Sequence, residues 1–268
     1  MQVGVTLRNM GPESTAPVMA ACVRAAEEAG FESAWITDHI AIPPDDAEGS
    51  GGRYVDPLVT LAWMAGFTRR IRLGTGVMVV PYRTALPFAK QVAALQELSG
   101  GRLLLGVGVG WMAAEFRAVG VDMRQRGRIT DETLQFLDRC FTADEVEAHG
   151  QRFLFKPRPP KPPVLVGGRP PHALDRAARL GDGWLPMARA PGDVSGAIDD
   201  YRRLTVSLGR GDGSVTVMTG IDTADPARAA ETVAEWRALG IERLVCAMRY
   251  RTEAEYRARL DALARVAI

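Results

Sequence analysis

The stretch Ile71-Arg72-Leu73-Gly74-Thr75-Gly76-Val77, then the amphipathic run Pro87 to Leu98, then Leu103-Leu104-Leu105-Gly106-Val107-Gly108-Val109, decides how the chain is read. Two short apolar runs bounded by turn residues flank a longer segment of helical period, which is the pattern of parallel strands joined by a helical crossover. Working outward, the same rhythm recurs. Val3 to Leu7 precedes a helix near Pro17 to Ala29, and Ser33 to Thr37 precedes one near Pro57 to Phe67. After Leu103 to Val109 comes a helix near Gly127 to Phe141. The second half runs Pro163 to Val166 with Pro171 to Leu180, Gly183 to Leu185 with Val194 to Leu208, Val215 to Thr219 with Pro226 to Leu239, and Leu244 to Ala247 with Glu253 to Val266.

Eight strand-helix units in a chain of 268 residues match a closed (β/α)8 TIM barrel, an architecture of about 250 residues. An open doubly wound sheet is the alternative. Residues 1 to 268 are expected to form a single domain. Pro17, Pro57, Pro87, Pro171 and Pro226 stand where helices should begin, since a residue without an N–H loses nothing there. Gly30, Gly100, Gly181 and Gly240 stand where a left-handed cap should end them. Two stretches break the rhythm. Ile40 to Tyr54 is rich in Pro, Asp and Gly, and Val146 to Phe153 reads as a hairpin turning at His149-Gly150, an excursion between units four and five.

Charge narrows the function classes. With 33 basic and 32 acidic side chains there is no global field for a polyanion, so nucleic acid is not expected as a partner. Cys22, Cys140 and Cys246 are far apart and odd in number, which speaks for a reducing compartment rather than a disulfide framework. No signal-peptide pattern and no long apolar span occurs, so the expected location is cytoplasmic and no membrane is expected as a partner.

In a TIM barrel, chemistry sits where strands end and loops lead into helices. Asp38-His39 ends strand two, and an imidazole there is suited to donating a hydrogen bond or carrying a proton near neutrality; a capping Asp beside a solvated His is the plainer alternative. Metal binding has little support, because His149 and His172 are the only other histidines and no ligand triad follows from spacing. Gly106, Gly108 and Gly110, with Gly74 and Gly76 on the neighbouring strand, thin the side chains and offer backbone to a flat ring, unless they merely permit close interior packing. Gly108 to Ala113 also satisfies the degenerate dinucleotide fingerprint G-x-G-x-x-A, but the acidic residue that should end the next strand is absent. Val166-Gly167-Gly168-Arg169 precedes a helix start and forms a candidate phosphate seat. Trp111 and Trp184 are candidates to wall an aromatic ligand. Arg8, Arg83 and Arg169 all fall on the active face and form an expected cationic rim. No Gly-x-Ser-x-Gly elbow is present.

These residues resemble the bacterial luciferase-like family of flavin and deazaflavin oxidoreductases over nearly the whole chain. The resemblance is carried by Thr37-Asp38-His39, Leu73 to Val77, Arg126-Gly127-Arg128, Val166-Gly167-Gly168 and Ala178 to Trp184, and above all by the segment from Pro87 to Trp111. It implies a TIM barrel with the cofactor against strands three and four, a cis peptide at Gly76-Val77 forming a supporting bulge, and a phosphate region at Gly110-Trp111 and Gly167-Gly168-Arg169. Asp38, Thr75, Gly76, Val77, Gly108, Val109, Gly110, Trp111, Val166, Gly167, Gly168, Arg169 and Trp184 are thereby the expected cofactor contacts. Asp38 and His39 are the expected catalytic pair. One branch of the family carries a glutamate as proton donor where this chain has Trp111; Glu115 is the nearest acidic residue and is read as structural.

The resemblance implies an oxidoreductase passing hydride between the deazaflavin coenzyme F420 and a small organic substrate, as a homodimer. The alternatives are a reduced-FMN-dependent monooxygenase and a barrel that binds a cofactor without catalysis. Because a deazaflavin has carbon in place of the flavin N5, it does not readily form an oxygen adduct, and the expected reaction is dehydrogenation or reduction.

Overall fold

The computed structural model describes residues 1–268. The barrel strands are β1 (Gln2–Thr6), β2 (Ser33–Ile36), β3 (Arg72–Thr75) continued by the short β4 (Met78–Val79), β5 (Leu103–Gly108), β8 (Val164–Gly167), β9 (Gly183–Leu185), β10 (Ser214–Thr219) and β11 (Arg243–Cys246), with β6 (Glu145–Ala148) and β7 (Gln151–Leu154) set apart. All pairings among the barrel strands are parallel. They run β1 to β2 to β3 to β5 to β8 to β9 to β10 to β11 and back to β1, so eight strands close into a ring. Helices α1 (Ala16–Glu28), α2 (Pro57–Ala65), α3 (Ala85–Leu98), α4 (Ala113–Ala118), α5 (Arg126–Thr142), α6 (His172–Leu180), α7 (Ser195–Ser207), α8 (Pro226–Ala238) and α9 (Glu253–Ala267) connect them.

The strands are short and almost continuously apolar because both of their faces are covered. One face meets the helices in the principal core. The other fills the barrel with Trp35, Leu104, Leu165, Leu185, Met218 and Val245. Trp35 is fully buried and donates its indole N–H to Ser33 Oγ at 2.8 Å. Gly74 makes room for it: a Cβ on that residue would lie 2.3 Å from the indole ring.

Asp56, Asp225 and Thr252 cap α2, α8 and α9 by accepting first-turn N–H groups. Pro57 and Pro226 open their helices, and Pro17 lies in the first turn of α1. Pro87 lies two residues inside α3, and Pro171 stands before α6 after a cis Pro170-Pro171 bond. Gly30, Gly100 and Gly240 have the left-handed backbone expected of caps. Gly181 does not. Its φ is −103°, and a Cβ there would meet Val166 Cγ2 at 2.8 Å, so it is selected for close approach of helix to strand.

The hairpin between β5 and β8 turns at His149 (φ 50°) and Gly150 (φ 77°), two positive φ values in succession as a two-residue hairpin of native twist requires. The short helix α4 is an addition to the sequence reading.

Candidate active site

Strand three ends earlier than its apolar run because the chain bulges. Gly74 pairs with Leu104 and Met78 with Val107, so four steps along one strand answer three along the other. The extra residue sits at the cis Gly76-Val77 peptide. Val77 is thereby placed over the barrel filling, between β5 and β8. A Cβ on Gly108 would lie 2.6 Å from Val77 Cγ2, and one on Gly167 would lie 2.8 Å from Val77 Cγ1. A Cβ on Gly106 would lie 1.9 Å from the Thr75 carbonyl oxygen, and one on Gly110 2.6 Å from Val79 Cγ1. This corrects the expectation of a bare backbone platform. The space cleared by these glycines is occupied by the protein's own bulge.

Around that bulge the strand ends are tied together by buried polar groups. Asn9, at the end of β1, donates to the carbonyls of Thr37 and Val55 at 2.8 and 2.9 Å and accepts from the Thr37 N–H and hydroxyl. It pins the two ends of the 38–54 loop. Asp38 is buried and accepts the Val79 N–H at 2.8 Å, while both its oxygens engage the Arg83 guanidinium at 2.6 and 3.0 Å. Arg83 also donates to Asp56. Burial pushes the Asp38 carboxyl above its usual range against the pull of Arg83. Both of its oxygens are occupied, and the residue fastens the bulge to the loop.

His39 is different. Its side chain is 18% exposed, packed against Tyr54 with ring centroids 4.8 Å apart and edge-on to Trp111 at 6.1 Å. Nδ1 lies 2.9 Å from Glu115 Oε2. Nε2 has no protein partner. Glu115, fully buried on α4, also accepts the Tyr82 hydroxyl at 2.9 Å and the backbone N–H groups of Ile40 and Ala41 at 2.6 and 3.0 Å. Burial alone would raise this carboxyl, but its four hydrogen bonds outweigh that and hold it below the usual range.

The remaining expected contacts divide. Trp111 is 70% exposed beside His39. Residues 168–172 are exposed, Gly168 adopts a φ of 126° that suits glycine, and the Arg169 guanidinium has no partner. Val109 and Gly110 lead from β5 to Trp111, and Gly110 has a φ of 79°. Trp184 is corrected: it is 1% exposed in the layer between barrel and helices, beside Tyr201, and donates its indole N–H to the Gly168 carbonyl. It supports the loop from behind and does not wall a ligand. Val166 likewise turns its side chain toward Gly181, and Thr75 is buried with its hydroxyl donating to the Gly106 carbonyl. The expected cationic rim is also reduced. Arg8 is held by Tyr250 and Glu13 and Arg83 by two aspartates, which leaves Arg169.

Glu115, Tyr82 and Tyr54 complete the site although the sequence reading gave none of them a role there, and Arg83, expected in a cationic rim, instead pairs with Asp38 and Asp56. The available signal was Glu115 itself, an acid beside Phe116 in a short segment closed by Gly120. The three cysteines are buried, and burial pushes Cys22 and Cys140 up to about 11 and Cys246 to about 12, so they are poor nucleophiles.

A closed parallel barrel with an imidazole, an aromatic face and a cationic loop gathered at its C-terminal end defines the class as a (β/α)8 barrel with its candidate chemistry at the loop end. The chain belongs to the luciferase-like monooxygenase family, whose description matches residues 1–266. An uncharacterised protein of Mycobacterium tuberculosis is 32% identical over 205 residues, covering 70% of this chain and 71% of its own. Among solved structures, the monooxygenase RslO1 from Streptomyces bottropensis superposes with a TM-score of 0.83 at 21% identity, covering 99% of this chain and 98% of its own. The coenzyme F420 dependent tetrahydromethanopterin reductase from Methanopyrus kandleri does so with a TM-score of 0.71 at 18% identity, covering 99% and 97%. Family members of both kinds are oxidoreductases or monooxygenases. No helix of the chain is long and apolar enough to cross a membrane.

Proposed function

We propose that the protein is an oxidoreductase that passes hydride between the deazaflavin coenzyme F420 and a small organic substrate, with His39 handling the proton. The observation that carries this reading is the His39 imidazole: partly exposed at a barrel strand end, backed by a buried carboxylate, and free at Nε2. A hydride transfer to or from a carbon bearing oxygen moves a proton at the oxygen, and an imidazole is suited to take or give it. The residues present fit the cofactor. The Val77 bulge and the exposed Trp111 suit a flat ring, and the unpartnered Arg169 beside the exposed Gly168 backbone suits a phosphate. When bound, the deazaflavin supplies a carbon centre that accepts or donates hydride. The protein's own part is to orient the substrate, exclude water and move the proton at His39 Nε2.

A second reading is a reduced-FMN-dependent monooxygenase, supported by membership of the luciferase-like monooxygenase family. Fluorescence titration of the apoprotein with F420 and with FMN separates the two. The first reading expects saturable quenching by the deazaflavin; tight binding of FMN alone overturns it, and binding of neither favours a barrel without catalysis.

A further inference from the structure

We infer that Glu115 is the positioning residue of this site: its ionised carboxylate fixes His39 as the Nδ1-protonated imidazole, so that Nε2 faces the open barrel end as a proton acceptor. The proposal rests on the reading above for the use made of that acceptor. Its geometry stands apart from it.

An ionised carboxylate only accepts hydrogen bonds and has about four lone-pair directions to fill. Glu115 receives four donors from two segments: the Ile40 and Ala41 N–H groups on Oε1 and His39 Nδ1 on Oε2 from the loop after β2, and the Tyr82 hydroxyl on Oε2. With Glu115 ionised, a neutral His39 meets it favourably only with the proton on Nδ1, because the other tautomer sets two lone pairs against each other. The backbone of the two residues following His39 is held by the same side chain. Ring orientation, tautomer and loop entry are therefore one unit. Other titratable groups near the imidazole are Tyr54, against its face, and Tyr82, already committed to Glu115. Asp38 is adjacent in sequence but is turned to Arg83 and Val79. The substrate class that suits an acceptor at Nε2 is a hydroxyl compound being oxidised. Its O–H proton would pass to His39 Nε2 as the carbonyl forms, with a bound oxidised deazaflavin as the acceptor of the C–H hydride.

The test is the 15N spectrum of the histidine-labelled protein, recorded at alkaline pH. In the wild type, His39 should show a protonated Nδ1 and an unprotonated Nε2. Glu115→Gln keeps an oxygen for the Ile40 and Ala41 N–H groups but presents an amide NH2 to His39, so the protonated nitrogen should become Nε2. Tyr82→Phe should leave the tautomer as in wild type. With F420 and a substrate that the wild type oxidises, Glu115→Gln should lower kcat by about 100-fold with little change in KM, since a misplaced tautomer behind a carboxylate costs up to about 10⁴ elsewhere. A wild-type His39 protonated at Nε2 overturns the inference even if the variant does not fold, and so does a Glu115→Gln spectrum identical to wild type. If the tautomer behaves as stated but F420 does not bind, the positioning role stands and the proposed cofactor falls.

Discussion

Asp38 and His39 are consecutive, and the structure divides between them what the sequence could only offer as a pair. Asp38 is a buried partner of Arg83, whose side chain is 12% exposed. Asp38→Asn should therefore act mainly on stability, by about 3 kcal/mol, because it strands a buried guanidinium that Asp56 only partly satisfies. His39→Gln should do the reverse. Its unfolding midpoint should stay near wild type while turnover falls by about 10²- to 10⁴-fold, and chemical denaturation beside steady-state kinetics compares the two. Acid offers another check. Glu115 is held below its ordinary value near 4.3, so the stability it lends is fully present above that pH and is lost as the pH falls through its folded value. Asp38, pushed up by burial, has the opposite sign: folding favours its protonated form, and its share of stability declines as the pH rises from the ordinary range to its folded value. The gap in unfolding midpoint between wild type and Glu115→Gln should thus narrow on acidification from about pH 6 to about pH 3, as denaturation curves at each pH would show. Why Asp38 and His39 were legible and Glu115 was not is a matter of distance along the chain. The first two end a recognisable strand, whereas Glu115 reaches His39, Ile40 and Ala41 from 74 to 76 positions away, and only closure of the barrel brings α4 against the loop after β2.

At the scale of elements, the repeating unit was plain in the sequence because each strand is covered on both faces and each helix on one, and hydrophobic period records that directly. The bulge was not derivable in that way. Gly106 and Gly108 are identical in sequence but answer to different atoms, a carbonyl oxygen and the Val77 side chain, and nothing in strand periodicity distinguishes them. Their substitutions should differ accordingly. Gly106→Ala puts a Cβ on backbone that has nowhere to go and should abolish soluble expression or cost more than about 3 kcal/mol. Gly108→Ala meets a side chain, should cost about 1–3 kcal/mol, and should be largely rescued by Val77→Ala. A double-mutant cycle on thermal or chemical unfolding measures that coupling directly. The same reasoning explains the misreading of Trp184. An aromatic residue at a strand end points into the barrel mouth or into the helix layer according to its parity in the strand, and the three residues of β9 are too few to fix parity from pattern.

Across the whole molecule, the two ends of the barrel carry different loads. At the C-terminal end the polar groups hold His39 and the bulge. At the opposite end, where β1, β10 and β11 begin, Arg243 is 1% exposed and serves four neighbours. It donates to both carboxylate oxygens of Glu32 at 2.8 and 2.9 Å, to Thr216 Oγ1 at 3.2 Å, to Glu242 Oε1 at 3.3 Å and to Gln2. One guanidinium therefore staples β1, the entry to β2, β10 and β11 across the seam where the first and last strands meet. In TIM barrels the N-terminal face serves stability and the loop face serves chemistry. Removing the cation leaves Glu32 with a half-buried charge and the seam without its bridge, so Arg243→Ala should destabilise the fold by about 3–5 kcal/mol. At a temperature where the variant is still folded, its affinity for cofactor and its kcat should match wild type within about twofold, because no group that it touches reaches His39 or Glu115. Unfolding curves and cofactor titration of the same sample decide the matter. A variant as stable as wild type would remove the seam's supposed anchor, and one stable but inactive would mean that the two ends of the barrel are coupled in a way their separate hydrogen-bond networks do not provide.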